Sequence, residues 1–386
     1  MINIKDKTKC CGCGACEQIC THDCISMVQD SEGFFYPQVD KNKCVDCGLC
    51  NKVCQYETSF IKKEEPLSTY AYVSENQEMR KNSSSGAFFM LAAKRVLEYG
   101  GIVWASRFDD SWNVVVDSAE KEDDLKRFAG SKYVQSLTGH AYSDIRSVLQ
   151  QGRWALFCGT PCQVSGLNHY LQKKYENLIT IDFACHAVPS PGVWQEYLHY
   201  LSKDQYTIKY VNFRNKEIAG WHNYGLQIDA VDKDNNPINL VSEGNKQNRY
   251  MQGFLKYVYC RPSCSNCAAK GFNTGSDVMT GDFWHVEEYH KEEILNDNKG
   301  VSLVMNLTEK GQTFTKTILQ KGFSLQVDNK EIELDKVHSC IVKSESPHHL
   351  RKVFFVLKKI DLFFSIWFCV SLYQYFVNLI NKVRYR

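Results

Sequence analysis

Charge of one sign is missing from this sequence: 46 Lys and Arg stand against 44 Asp and Glu in 386 residues, a formal net charge of +2. That balance shows no excess of Lys and Arg of the kind with which proteins grip nucleic acid. The opening MINIKDKTK puts charged residues where a secretory leader needs an apolar core, which points to a reducing, cytoplasmic setting. Two phosphate loops are missing as well. No G-x-G-x-x-G follows a predicted strand and no G-x-x-x-x-G-K-S/T occurs, so neither familiar nucleotide fingerprint is available.

What is abundant is cysteine, 18 in all. In a reducing compartment clustered cysteines are ligands sooner than bridges. Cys10, Cys13, Cys16 and Cys20 follow C-x2-C-x2-C-x3-C, and Cys44, Cys47, Cys50 and Cys54 repeat it. In such a run three cysteines wrap one face of a 4Fe-4S cube and the fourth reaches the other cube. The expected ligand sets therefore cross: Cys10, Cys13, Cys16 and Cys54 for one cluster, Cys44, Cys47, Cys50 and Cys20 for the other. Structural zinc, the alternative, usually takes two separated C-x2-C pairs. Cys11 and Cys24 lie outside both runs and read as small buried apolar residues. Gly12, Gly14 and Gly48 suit a loop whose backbone approaches sulfide closely. The segment resembles a bacterial-type two-cluster ferredoxin, with Thr21 and Gln55 where that family usually has proline. GFFYPQVD, between the runs, reads as a strand pair.

IKKEEPLS (61–68) is polar and reads as a linker. Beyond it, strand-like runs (TYAYVS, GIVWAS, WNVVVDSA, WALFC, LITIDFAC) alternate with helical ones (SSGAFFMLAAKRVLEYG, QVSGLNHYLQKKY). This predicts an α/β fold with α+β elements. The expected layout is a ferredoxin domain over 1–60, a larger mixed α/β domain over 69–345, and a hydrophobic tail helix over 350–386. YVNFRNK, GLQIDAV and NPINLV read as a mixed or antiparallel part of the same sheet.

A second set of cysteines sits in LFCGTPCQ, DFACHAVPSP and YCRPSCSNC, the first two directly after predicted strands. Strand C-terminal ends in an α/β sheet collect cofactor and active-site groups, so Cys162, Cys185, Cys264 and Cys267 are candidates for a third 4Fe-4S cluster. By spacing alone they would equally serve zinc. Cys158 and Cys260 compete as ligands or stay buried thiols. SSSGA, GSKYVQS, LFCGTPCQVSGL, IDFACHAVPSPGVW, RPSCSNCAAK and GDFW, in that order, resemble the beta subunit of coenzyme F420 hydrogenase and dehydrogenase, in the branch with an N-terminal ferredoxin. The resemblance covers about residues 1–325. It implies FAD and a 4Fe-4S cluster in the large domain, held for the cluster by Cys162, Cys185, Cys264 and Cys267. Relatives include ferredoxin-dependent pigment reductases and members that accompany bacterial surface-polysaccharide genes.

With that resemblance, Ser83, Ser84, Ser85 and Gly86 at a predicted helix start become candidates for a pyrophosphate, since free helix N–H groups and hydroxyls suit anions. Ser131, Lys132, Tyr133, Thr160 and Gln163 join them. Phe283 and Trp284 are candidates to wall a planar ring, and His186, Asp282 and Tyr133 to carry proton chemistry. Ala87, Ala187 and His285 stand where the family commonly has glycine, which bears on F420 specificity. The expected partners are an electron donor or acceptor such as ferredoxin or a reductase or hydrogenase subunit, and an organic substrate. The tail carries an uncharged run over 362–380 between basic flanks, which predicts peripheral membrane contact, docking or a span. The function expected is FAD- and iron–sulfur-dependent oxidoreduction; the alternative is a non-catalytic electron-transfer adaptor.

Overall fold

The computed structural model describes residues 1–58 and 65–372. The first half of the expected linker, 61–64, and the last part of the tail, 373–386, lie outside these.

In the N-terminal domain two one-turn helices, α1 (Ala15–Gln18) and α2 (Leu49–Lys52), are each entered through a left-handed glycine, Gly14 at φ 76° and Gly48 at φ 75°. A side chain there would be strained, which is why each cysteine loop carries glycine at that point. Strands β1 (Ile25–Gln29) and β2 (Phe35–Val39) pair antiparallel. GFFYPQVD is thus one strand and not a pair. Its first residues are taken by a turn in which Asp30 Oδ1 accepts from Glu32 N and Phe34 N and Gly33 adopts φ 84°.

The large domain is built on eleven strands: β3 (Ser68–Ser74), β4 (Ile102–Phe108), β5 (Val114–Ala119), β6 (Ala155–Gly159), β7 (Leu178–Phe183), β8 (Thr207–Asn215), β9 (Gly225–Val231), β10 (Pro237–Gly244), β11 (Val278–Asp282), β12 (Ser302–Asn306) and β13 (Gly322–Val327). Eight form one sheet in the order β13-β3-β12-β11-β7-β6-β4-β5, with β4, β6, β7 and β11 mutually parallel. The remaining three, β8, β9 and β10, form a separate antiparallel sheet. They do not extend the main sheet as expected, because meander connections let them pair with one another and stack on helices instead.

The helices are α3 (Gln77–Asn82), α4 (Phe88–Glu98), α5 (Ala141–Gln150), α6 (Pro161–Leu171), α7 (Pro191–Ser202), α8 (Arg249–Leu255), α9 (Val286–Tyr289), α10 (Glu309–Leu319), α11 (Leu334–His338) and α12 (Arg351–Leu357). One face of the main sheet (Val103, Leu156, Ile179, Ile181) packs on α4 and α10. The other face (Trp104, Phe157, Leu178) packs on α5 and α6, and this core also takes in Ala15 and Val53 of the ferredoxin domain. With both faces covered, β6 reads ALFCG and is buried throughout, as parallel strands are.

Beyond α12, residues 362–372 are helical. Phe354, Phe355, Leu362, Ile366, Cys369 and Val370 sink into the core under the three-stranded sheet. Arg351 forms a two-pronged ion pair with Glu32 of the ferredoxin hairpin at 2.6 and 2.9 Å, and Lys358 pairs with Glu196. Among the described residues no helix is long and apolar enough to cross a membrane.

Candidate functional site

Three neighbouring parallel strands deliver the site. β6 ends at Gly159 and leads through Thr160 and Pro161 to Cys162; β7 ends at Phe183, two residues before Cys185; β11 ends at Asp282. The short helical turn Pro262–Asn266 brings Cys264, with Cys267 just past it. Cys162, Cys185, Cys264 and Cys267 come together: burial raises the Cys185 thiol well above the usual range, and Cys264, Cys162 and Cys267 add like-charge repulsion. Burial likewise pushes Cys264 up to about 11 and Cys267 up to about 12. Cys162 runs the other way, lowered to about 7 by hydrogen bonding with Cys11 and then with Thr160. It also sits in the first turn of α6, where a helix N-terminus favours thiolate. Thr160 caps that helix, with Gln163 Oε1 accepting from Thr160 N at 3.1 Å. Those bonds, with Gln163 Nε2 to Ser136 Oγ at 2.9 Å, commit Thr160 and Gln163 to positioning Cys162.

In the ferredoxin domain Cys16 is raised by burial and by Cys13, Cys10 and Cys54, and Cys54 is pushed up to about 11 by burial with Cys13 and Cys10 nearby. The crossed set expected from spacing is therefore gathered in space. On the other side, Cys24 Sγ lies 3.3 Å from Cys20 Sγ and also contacts Cys44, Cys50 Sγ accepts from Ile2 N at 3.2 Å, and Cys47 is exposed. Among the described residues no three His, Cys, Asp or Glu side chains converge closely enough to hold a single metal ion.

Two residues outside the expected ligand sets join the domains. Cys11 is buried, and hydrogen bonds to the Cys13 and Cys162 thiols raise it well above the usual range. It therefore spans from a ferredoxin cysteine to a large-domain cysteine, a placement that its reading as inert filler did not foresee. Gln55 Nε2 donates to the Cys162 carbonyl at 2.9 Å and to Cys11 Sγ at 3.2 Å. Alongside, Arg261, only 2% exposed, donates to Cys10 O at 2.8 Å, Gln135 Oε1 at 2.8 Å and Phe35 O at 2.9 Å, and its guanidinium lies 4.3 Å from the Tyr36 ring centre. Gly166 of α6 lets the cluster loop approach, since a Cβ there would stand 2.8 Å from Cys13 Cβ.

The other candidates gather around Arg214, which no sequence signal marked. Its guanidinium pairs with both Asp282 oxygens at 2.8 and 2.9 Å, donates to Tyr133 Oη at 3.1 Å and to Ser84 O at 3.0 Å, and stacks 3.9 Å from the Tyr224 ring centre. Trp221 Nε1 donates to Asp282 at 2.6 Å, and the Trp221 and Trp284 rings stack at 4.6 Å. Phe283 is a core residue, fully buried among Met279, Leu303 and Val301.

Ser83–Gly86 form a turn and do not open the helix: α4 starts at Phe88, because Ala87 adopts a left-handed φ of 72°. Of the other two glycine replacements, His285 is left-handed too, at φ 59°, and Ala187 is not. Ser84 bonds Ser131 at 2.8 Å and Ser85 bonds Ser302 at 3.0 Å. The Lys132 amine donates to the carbonyls of Phe128, Ala129 and Gly130, and burial lowers it to about 7. Ser83 Oγ and Arg214 Nε are buried without a partner.

His186 stands apart, its Nδ1 3.0 Å from Tyr257 Oη and its Nε2 buried without a partner, with the Phe254 ring between it and Tyr133. Burial lowers it to about 4. A small cavity beside Cys185 is lined by Asp182 and Cys340. Asp182 is raised to about 7 by burial and keeps one carboxyl oxygen unpartnered.

Residues 9–58 match the family described as 4Fe-4S dicluster domain, and residues 152–333 match the C-terminal region of the coenzyme F420 hydrogenase/dehydrogenase beta subunit. Over these stretches the chain is similar to a 4Fe-4S dicluster ferredoxin and to the coenzyme F420 hydrogenase/dehydrogenase beta subunit. The dicluster match assigns the first two cysteine runs to 4Fe-4S clusters and not to zinc, and the beta-subunit match makes this an iron–sulfur electron-transfer protein of the oxidoreductase type. The chain is also similar to a solved structure from the F420-reducing NiFe hydrogenase complex of Methanosarcina barkeri, with 14% identity and a TM-score of 0.46 over 74% of this chain and 89% of that one. No curated protein matches.

Proposed function

We propose that this beta-subunit relative is a flavin-dependent iron–sulfur oxidoreductase in which the ferredoxin clusters exchange electrons with a third 4Fe-4S cluster on Cys162, Cys185, Cys264 and Cys267. The observation that carries this reading is the junction at Gln55, which donates to Cys11 Sγ of the ferredoxin loop at 3.2 Å and to the Cys162 carbonyl of the large domain at 2.9 Å, with the buried Cys11 thiol raised by its neighbours Cys13 and Cys162. Four half-buried thiols on converging loops suit a cube. Helix α6 favours Cys162 as thiolate, and Lys270 donates to the Cys185 carbonyl at 2.5 Å, placing positive charge beside the cluster's negative charge.

FAD supplies the exchange between one-electron carriers and a two-electron step on an organic substrate. Two unspent buried donors, Ser83 Oγ and Arg214 Nε, support a polar ligand at the serine turn. Ser84, Ser85 and Gly86 would hold it, with Ser131 and Ser302 giving up their present bonds to those serines. Arg214 orients Asp282 and Tyr133 towards the same turn. The surface-polysaccharide association belongs to the substrate side of this proposal and rests on the resemblance alone.

A second reading has its own observation. Arg214 is locked to Asp282, Trp284 stacks on Trp221 and Phe283 is core, so these side chains fill the space next to the serine turn. That packing favours an adaptor whose electrons leave from the third cluster to a partner subunit. Anaerobic purification with iron, sulfide and released-flavin analysis separates the readings. About twelve irons and one FAD per chain support the first; about twelve irons without flavin support the adaptor; about eight irons reject the third cluster and both readings with it.

A further inference from the structure

The described residues hold 13 exposed large apolar side chains, and five of them, Val353, Val356, Ile360, Phe364 and Trp367, fall within residues 353–367. Single exposed apolar residues are ordinary; a contiguous run of them marks a contact surface. These five share the outward side of α12 and of helical residues 362–372. The inward side of the same segment is committed to the core through Phe354, Phe355, Leu362, Ile366, Cys369 and Val370. The stripe cannot turn inward without unpacking that core. At the turn between the two helices Ile360 is 82% exposed. Tyr200 of α7, also exposed, stacks on Phe363 at 4.0 Å and widens the patch.

Charge selects the occupant. Residues 351–386 contain seven Lys and Arg and a single acid, Asp361. Arg351 and Lys358 are engaged by Glu32 and Glu196, and Asp361 accepts from Phe364 N at 2.6 Å as a helix cap. Among the described residues Lys352 and Lys359 remain, together with Lys203 beside Tyr200. An apolar stripe with Trp and Tyr at its edges, bordered by Lys352, Lys359 and Lys203, is the composition that lies in the headgroup region of an anionic bilayer.

We propose that this face seats the protein on an anionic lipid surface, with Val353, Val356, Ile360, Phe364 and Trp367 entering the headgroup boundary. Seating is peripheral and independent of any cluster or flavin.

Full-length protein is mixed with phosphatidylcholine vesicles with and without phosphatidylglycerol, at low and high salt. Binding is expected to the anionic vesicles alone, weakened by salt. Ile360→Glu with Phe364→Glu is expected to lower the affinity ~tenfold or more, while the iron content stays that of wild type because both side chains are outside the core. Brominated lipid is expected to quench wild-type fluorescence more than that of Trp367→Phe. Wild-type protein that ignores anionic vesicles overturns the proposal, and so does a double variant that binds as well as wild type. Dimers dissolved by the double variant, without vesicle affinity in the wild type, would reassign the stripe to contact between copies of this chain.

Discussion

The two cysteine-bearing regions differ in how they bring sulfur together. In the ferredoxin domain each group of three ligands lies within one short loop, and glycines at left-handed positions allow the loop to curl. In the large domain Cys162, Cys185, Cys264 and Cys267 are spread over more than a hundred positions and meet because β6 and β7 are adjacent and parallel and both end at the same edge. Local spacing builds the first; sheet topology builds the second. A loop motif therefore survives changes elsewhere in the chain, whereas the second set depends on the whole sheet.

The largest expected effect separates the two. Cys185→Ala should lower iron from about twelve to about eight per chain while the ferredoxin signals persist in the electron paramagnetic resonance spectrum. Equal loss from both regions would show that they are one unit. Next is the clamp between them. Arg261→Met leaves three buried acceptors without their donor and should cost ~2–4 kcal/mol, seen in calorimetry as a Tm lower by roughly 5 °C. An unchanged Tm would mean that the regions dock without it.

Gln55→Leu removes two bonds at the junction and should cost about 1–2 kcal/mol. Stopped-flow spectra should then show the ferredoxin clusters reduced at the wild-type rate and the large-domain absorbance following several-fold more slowly. Equal rates would break the assignment of this junction to electron transfer. The smallest effect concerns the backbone alone. Ala87→Gly relieves a left-handed φ of 72° and should stabilise the protein by about 1 kcal/mol, read as a slightly higher denaturant midpoint.

Legibility followed the same division. Both ferredoxin runs were readable from spacing, and the strands β3 to β7 from apolar runs, because these signals sit in consecutive residues. The convergence of Cys162 with Cys185, Cys264 and Cys267 was suggested by position after predicted strands and given a ligand set only by resemblance. Gln55 read as a mere replacement of proline and Cys11 as filler, since their partners lie more than a hundred residues away in α6. Arg214 and Arg261 carried no pattern at all. A buried cation is specified by what surrounds it, and those surroundings come from several elements at once. The separate sheet β8–β10 was misplaced for a similar reason: antiparallel strand runs look alike in sequence whichever sheet receives them.

Gly166 sets how near the ferredoxin loop can lie to the large domain. With the domains docked, the Cys10–Cys16 loop is pressed against α6 so closely that not even a methyl group would fit between Gly166 and Cys13. Gly166→Ala would have to push the two regions apart, so the closeness of the ferredoxin loop to α6 rests on one missing side chain.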